Sequence, residues 1–359
     1  MTASTGNRTP MIRVKELRKS FPIFSGILLR RKIGEVIAVD DVSFDIYPGE
    51  VVGCVGETGS GKSTLGRLIL NLIRPDGGEV WLNDRRIDEL SQSDMRPVRR
   101  DLQIVFQDPL HALNPRRTVA ENVARPLLNF GVTRSGALDR VEELLEIVGL
   151  NPAHANRYPH EFSGGQCQRV GIARALALNP KFLFLDEPVS ALDVSVQAQI
   201  LNLLKELQEK LNLTYLFVTH DLKIVKHISD RIMVLYHGRT VEIGNNDDIY
   251  VNPVHPYSRA LLDSVLSIEG GDSWERVALR GKDDIDDATR TEESATVTRR
   301  GCIYSDICPE RFEPCRAHSP RLSTINPGHL AACHLHDASL ATSREGWWKR
   351  SASHQEGRG

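Results

Sequence analysis

The sequence predicts an α/β fold with a small cysteine-rich extension near its C-terminal end. Three observations predict it. The apolar strand Val51-Val52-Gly53-Cys54-Val55 runs into Gly56-Glu57-Thr58-Gly59-Ser60-Gly61-Lys62-Ser63-Thr64 and then into an apolar helix, the context a phosphate-binding loop requires. Two short apolar runs, Phe182–Leu185 and Thr214–Thr219, end in Asp186-Glu187 and His220-Asp221 and read as buried parallel strands with polar groups at their carboxyl ends. Four of the six cysteines, Cys302, Cys308, Cys315 and Cys333, crowd together late in the chain, apart from Cys54 and Cys167.

In chain order, residues 1–11 are a polar N-terminus. Ile12–Lys15 and Ala38–Ile46 alternate apolar and polar residues at the period of strands. Pro48-Gly49 turns the chain into Val51–Val55, and Leu65–Leu72 continues the phosphate loop as a helix. Between about 108 and 165 the pattern is helical: Leu138, Val141, Leu144, Leu145 and Val148 share one helix face. A helix over Gln166–Leu178 stops at Asn179-Pro180, and Val196–Leu211 is amphipathic. Arg231–Leu235 and Thr240–Ile243 flank His237-Gly238 as a hairpin. Residues 267–300 read as a charged linker, 301–336 as the cysteine segment and 337–359 as a disordered tail in which Trp347-Trp348 is the apolar feature.

The 45 basic and 47 acidic residues give a net charge of −2, without the basic excess of a nucleic-acid binder. The opening residues MTASTGNRTP lack the apolar core of a secretory signal, and no apolar run approaches the roughly 18 residues of a membrane span. A cytosolic chain able to dock on membrane proteins is therefore expected. In that setting clustered thiols point to metal rather than disulfides. The spacing Cys302-x5-Cys308-x6-Cys315, with Cys333 beyond, lacks the close C-x2-C pairs of zinc ribbons. Such thiolates can hold zinc or an iron–sulfur cluster, and the same cysteines can also lie free.

The chemistry concentrates in two glycine-rich sites. In Gly56–Thr64 backbone N–H groups can wrap a β-phosphate at a helix N-terminus, Lys62 supplies a point charge to the phosphates, and the Ser63 hydroxyl suits a Mg²⁺ ligand. Asp186, at a strand end, is the candidate Mg²⁺ carboxylate; Glu187, its neighbour, points differently and is the candidate general base. Alone, Asp186-Glu187-Pro188 would serve equally as the acidic start of a helix. The second site, Phe162-Ser163-Gly164-Gly165-Gln166, opens a helix: the serine is a good N-cap, and successive glycines expose N–H groups to an anion. An ordinary helix start explains Ser163 but leaves the two glycines and Gln166 over.

These residues carry a resemblance. The chain is similar to the nucleotide-binding subunits of ATP-binding-cassette (ABC) transporters over residues 12–266, with a RecA-like core, an antiparallel β-subdomain and a helical subdomain. Ser163–Gln166 resembles the family's signature motif, which implies that it completes the ATP site of a partner cassette. Gln107 resembles the Q-loop glutamine that contacts Mg²⁺ or the attacking water, Asp193 in Ser190-Ala191-Leu192-Asp193 the D-loop, and His220 the switch histidine at the γ-phosphate. Phe21 stands where the family stacks an aromatic ring on adenine, although a core ring is equally possible there. Cys167 replaces a commonly basic residue; it either alters the charge near the partner's nucleotide or is a tolerated small side chain, as Cys54 is in its strand.

Further stretches resemble the F-type subunit of the oligopeptide/dipeptide permease branch: Val105–Pro109, Leu113-Asn114-Pro115-Arg116, Pro188–Ser195 and His255-Pro256-Tyr257-Ser258-Arg259-Ala260-Leu261-Leu262. This implies ATP with Mg²⁺, uptake of short peptides, and a [4Fe–4S] cluster on Cys302, Cys308, Cys315 and Cys333. It also implies a second, paralogous cassette, two transmembrane permease subunits and an extracytoplasmic solute-binding protein, at the cytoplasmic face of a bacterial plasma membrane. Relatives that carry nickel or other small solutes keep the solute open. ABC ATPases of translation or DNA repair are the other class, without the fused second cassette or long coiled coil those carry; a metal-sensing regulator would lack any DNA-reading element here.

Overall fold

The structure, a computed structural model of the chain, describes residues 9–25, 31–267 and 301–340. The expected linker beyond Ser267, the N-terminal residues 1–8 and tail residues 341–359 lie outside the described residues. The chain divides into two compact units. Met1–Leu17, Ser43–Cys54 and Lys62–Asp230 form the first; Arg18–Val42, Val55–Gly61 and Arg231–Gly359 form the second.

Two long strands, β1 (Ile12–Ser25) and β2 (Arg31–Ile46), run through both units. β3 (Val51–Val55), buried along its length, leads through the phosphate loop into α1 (Lys62–Ile69). The helix ends earlier than the expected Leu72 because Asn71 takes a left-handed turn (φ 49°) and donates its side-chain N–H to Ile87 O at 2.8 Å. β4 (Gly77–Leu82) and β5 (Arg85–Arg86) pair antiparallel and complete a sheet in the order β2-β1-β4-β5.

After α2 (Gln92–Val98) comes β6 (Leu102–Val105), then the helical region: α3 (Pro109–Ala112), α4 (Val119–Asn129), α5 (Arg134–Ile147) and α6 (Gly164–Leu176). Its starts are written in local sequence. Thr118 and Glu121 form a reciprocal capping box on α4, and Thr133 caps α5. Buried Asn122 ties the preceding loop by donating to Asn114 O, Arg117 O and Thr118 O and accepting from Asn114 N. α6 packs against α3, α4 and α5.

β7 (Phe182–Asp186), α7 (Val194–Leu211), β8 (Thr214–Thr219) and α8 (Leu222–Ile228) complete the first unit. Its strands lie in the order β3-β8-β7-β6, and β6, β7 and β8 are parallel, as their continuous apolar runs predict. Phe182, Phe184, Tyr215 and Phe217 are fully buried at their centre. α1 crosses β7 so closely that a Cβ on Gly66 would fall 2.0 Å from the Phe184 ring. That approach sets Lys62 and Ser63 over the carboxyl end of β7.

In the second unit β9 (Arg231–Tyr236) and β10 (Arg239–Asn245) form the expected hairpin, followed by α9 (Asn246–Tyr250) and α10 (Pro256–Ser267). The cysteine segment is more structured than its sequence signals. It contains the short helix Glu313–Ala317 and an antiparallel pair, β11 (Ser323–Asn326) and β12 (His329–Ala331), of which β12 adds to β10. Residues 338–340, at the start of the expected tail, form one 3₁₀ turn. Among the described residues no helix is long and apolar enough to cross a membrane.

Candidate active site

In the first unit the ends of α1, β7, β8 and β6 bring together Ser63, Asp186, Glu187, His220 and Gln107. Ser63 Oγ donates to Asp186 Oδ1 at 2.7 Å, and Arg67 Nη2 lies 3.9 Å from Asp186 Oδ2. Burial raises the Asp186 carboxyl pKa, against the Ser63 hydrogen bond and the Arg67 charge. A hydroxyl beside a buried carboxylate that resists ionisation is a hard oxygen pair short of positive charge, which suits Mg²⁺. Lys62, buried at the start of α1, lies within electrostatic reach of Asp186 and of Cys54. Cys54 itself is a core residue, its thiol pushed up to about 12 by burial.

Glu187 follows Asp186 but turns away from it, because its backbone is left-handed (φ 46°). For a residue with a side chain this conformation costs of order 1–3 kcal/mol. The bend is held by Glu187 N donating to Val218 O at 2.9 Å and by Ser190 Oγ donating to Glu187 O at 3.1 Å. Glu187 Oε2 then accepts from Gln107 Nε2 at 3.1 Å and lies 3.3 Å from His220 Nδ1. A glutamine and a histidine from different strand ends thus flank one carboxylate oxygen, while the His220 side chain remains 54% exposed.

Also in the first unit, Ser163 and Gln166 form a capping box on α6: Ser163 Oγ accepts from Gln166 N at 3.3 Å, and Gln166 Oε1 accepts from Ser163 N at 3.0 Å. A helix start therefore accounts for the glutamine as well as the serine. Gly165 has a packing reason too, since a Cβ there would sit 2.4 Å from Val196 Cγ1. Gly164 is different: its Cβ would meet Leu192 at an ordinary 3.4 Å. Asp193 stands at the start of α7, exposed, and makes no side-chain cap bond to that helix. Cys167 is fully buried and donates to Pro159 O at 3.3 Å, so it is a packed core side chain.

In the second unit the glycine arch Gly56–Gly61 rests on the β9–β10 turn. Gly238 N donates to Ser60 O at 2.8 Å, and a Cβ on Gly61 (φ 101°) would lie 2.0 Å from Ala38 O. Glu57 N donates to Tyr257 Oη at 3.3 Å. Glu57, Thr58 and Gly59 are exposed, and Gly59 (φ 83°) has open space where a Cβ would be, so its backbone is available to a ligand. The chain passes from this arch into Lys62, Ser63 and Thr64 of the first unit. Phe21 is 41% exposed, its ring 5.6 Å from Lys19 Nζ.

The four late cysteines share one neighbourhood. Cys302 N donates to Cys315 O at 2.7 Å, and charge on Cys302, Cys308 or Cys315 is felt at Cys333. Burial pushes the Cys308 thiol up to about 11 and that of Cys333 up to about 12. Among the described residues no group of three or more His, Cys, Asp or Glu is gathered closely enough to hold a metal ion. The donor set is the soft one that zinc or iron–sulfur chemistry uses.

Three residues of these sites carry no signal in the loop motifs. Arg67 lies four residues after Ser63, on the same face of α1, a helical spacing that points it at Asp186. Tyr257 and Tyr304 reach the phosphate loop only through tertiary contacts.

A phosphate loop on a buried strand, a strand-end Asp-Glu pair and a glutamine and histidine on that glutamate define an ATPase of the ATP-binding-cassette class. Residues 39–190 match the ABC transporter family, and residues 241–315 match the oligopeptide/dipeptide transporter C-terminal region. The chain is 45% identical over 340 residues, 94% of its length and all of the relative's, to the oligopeptide transport ATP-binding protein AppF of Bacillus subtilis (strain 168). It is 46% identical over 326 residues, 90% of its length and 98% of the relative's, to a putative peptide import ATP-binding protein of Brucella ovis. Among solved structures it resembles a dimeric post-hydrolysis state of the ATP-binding cassette MJ0796 bound to ADP and Pi, at TM-score 0.58 and 33% identity over 66% of this chain and 99% of that one. CbiO1 of Clostridium perfringens, part of the transporter complex cbiONQ, matches at TM-score 0.58 and 26% identity over 76% of this chain and 99% of its own. The chain belongs to the oligopeptide/dipeptide branch of the ABC transporter ATP-binding proteins. ATP and Mg²⁺ are its expected nucleotide and metal.

Proposed function

We propose that the chain is the ATP-hydrolysing subunit of an importer of short peptides, with Glu187 as its general base. The observation that carries this reading is the meeting of Gln107 and His220 on one oxygen of Glu187, at 3.1 and 3.3 Å. A carboxylate so held can take the proton of a water aimed at the γ-phosphate, while Gln107 positions that water and His220 contacts the phosphate. Gly56–Gly61 wraps the phosphates with backbone N–H groups, and Lys62 and Thr64 complete the loop. Ser63, Asp186 and Gln107 are the residues that would hold Mg²⁺, which when bound would neutralise phosphate charge. Phe21, exposed on β1, is the adenine platform.

The peptide solute is carried over from the relatives named for oligopeptide transport and peptide import. Ser163, Gly164, Gly165, Gln166 and Asp193 serve the ATP of a second, paralogous cassette; the exposed, uncapping Asp193 and a Gly164 that packing alone does not require support this. Two transmembrane permease subunits and an extracytoplasmic solute-binding protein complete the assembly, at the cytoplasmic face of the membrane. A [4Fe–4S] cluster of structural role on Cys302, Cys308, Cys315 and Cys333 rests on the resemblance of this segment and on its soft donors alone, since among the described residues they are not gathered closely enough to hold a metal ion.

Glu187→Gln in the assembled transporter should bind ATP and hydrolyse it about 10²–10⁴-fold more slowly. Near-parental turnover would remove Glu187 as the base. In proteoliposomes the parent complex should accumulate labelled oligopeptide, and uptake of nickel chelates without peptide would overturn the solute.

A further inference from the structure

The cysteine segment touches the nucleotide machinery at a point that hydrolysis does not explain. Glu57, the second residue of the phosphate loop, donates its backbone N–H to Tyr257 Oη at 3.3 Å. Tyr257, on α10, is buried among rings. Its centroid lies 4.4 Å from Tyr236, at the end of β9, and 5.5 Å from Tyr304, which meets it edge to face. Tyr304 also packs on Tyr236 at 5.4 Å and on buried His255 at 5.8 Å. Edge-to-face packing is a favoured ring geometry, so Tyr304 restrains the Tyr257 ring that carries the hydroxyl.

Tyr304 stands inside the turn that joins the first two late cysteines. Ser305 N donates to Cys302 O at 3.0 Å, Cys308 N donates to Tyr304 O at 3.0 Å, and Cys302 N donates to Cys315 O at 2.7 Å. The backbone carrying the ring is therefore set by the backbone carrying the cysteines. A second tie reaches the other end of the arch. Arg239 pairs with Asp40 at 2.6 Å and donates to Ser319 Oγ in the cysteine segment, and its neighbour Gly238 donates to Ser60 O at 2.8 Å. All of these groups belong to the second unit.

We propose that Tyr257 and Tyr304 are positioning residues for the phosphate loop, through which the cysteine-bearing segment sets nucleotide affinity. The Tyr257 hydroxyl orients the Glu57 amide, and with it the arch that presents N–H groups to the phosphates; Tyr304 holds the Tyr257 ring in place. The inference rests on the loop binding ATP and is independent of whether the cysteines hold iron.

The test is binding of a fluorescent ATP analogue to the purified full-length chain, with its melting temperature measured alongside. Tyr257→Phe removes a single oxygen and should weaken the analogue about five-fold, the worth of one hydrogen bond, at little cost in melting temperature. Tyr304→Leu should weaken it comparably, Tyr304→Phe should restore it, and the Tyr257→Phe/Tyr304→Leu double variant should lose no more than the larger single loss. Parental affinity in Tyr257→Phe overturns the proposal, as does a double variant whose losses multiply. If Tyr304→Leu does not fold, Tyr257→Phe alone decides it. Lys62→Ala should abolish binding in the same assay; parental binding there would count against the loop as the ATP site rather than against the tyrosine relay alone.

Discussion

Asp186 is a carboxylate placed where ionisation is costly before a cation arrives. Its pKa is raised by burial, so the ionised form is less favoured in the folded chain than in the unfolded one. The resulting cost to stability is absent below the ordinary carboxyl value of about 4, grows as pH rises and is complete above the raised pKa. Asp186→Asn should therefore raise the melting temperature of the nucleotide-free protein at neutral pH, with the gain fading as pH falls toward 4, while Mg²⁺-dependent ATP binding is lost. Thermal melts across pH with and without Mg-ATP check both arms; equal gains at every pH would remove burial as the cause. Gly165 makes a simpler case: Gly165→Ala sets a Cβ 2.4 Å from Val196 Cγ1 and should cost about 1–3 kcal/mol in denaturant unfolding, recovered when Val196→Ala is added. The phosphate loop and the Asp186-Glu187 pair were legible in the sequence because their chemistry is local and contiguous. The reason for Gly165 was not, because it lies on a helix thirty residues further along the chain. Gln166 was legible as a motif residue, but its capping of α6 was not singled out, since Ser-x-x-Gln is also a capping box.

The helix that opens at Gly164 carries local folding roles at three of the four motif residues. Ser163 and Gln166 also cap α6 and Gly165 also packs closely on α7, whereas a side chain at Gly164 meets only Leu192 at van der Waals distance. An acidic residue in the first turn is favoured by the helix dipole, by about 0.3–1 kcal/mol. Gly164→Glu should therefore fold and bind nucleotide like the parent yet fail to dimerise on ATP, because it sets negative charge before the partner's phosphates. Light scattering with Mg-ATP and a hydrolysis-deficient background reads this directly, and intact dimerisation would remove the motif from the interface. Helices and buried strands were readable from apolar periodicity, with ends shifted where Asn71 and Asn179 take left-handed turns. β11 and β12 were not readable: Ser323–Asn326 and His329–Ala331 are short, and they are strands because β10 offers β12 a partner and β12 in turn pairs with β11.

Over the whole chain, one stretch of sequence builds a cassette and a later one leans on it. Glu242 in β10 shows how far this goes. Fully buried, it accepts from Val254 N and His255 N ahead of α10 and meets His329 of β12 at 2.7 Å. The proposed cluster belongs to the same late segment. Protein purified without oxygen should be brown and contain iron and acid-labile sulfide in equal amounts; a colourless zinc protein would end that reading. Family membership was within reach of the sequence because its motifs are ordered and spaced, but the tyrosine contacts were not, since Tyr257 and Tyr304 meet only after the fold forms. The pairing of β12 with β10 also sets a schedule. Glu242 and His329 are 87 residues apart, so at roughly 5–20 residues per second a ribosome needs on the order of 4–17 s to deliver the partner. For that interval the nascent chain carries a bare strand edge and a carboxylate with no imidazole to meet, an edge on which another chain could pair.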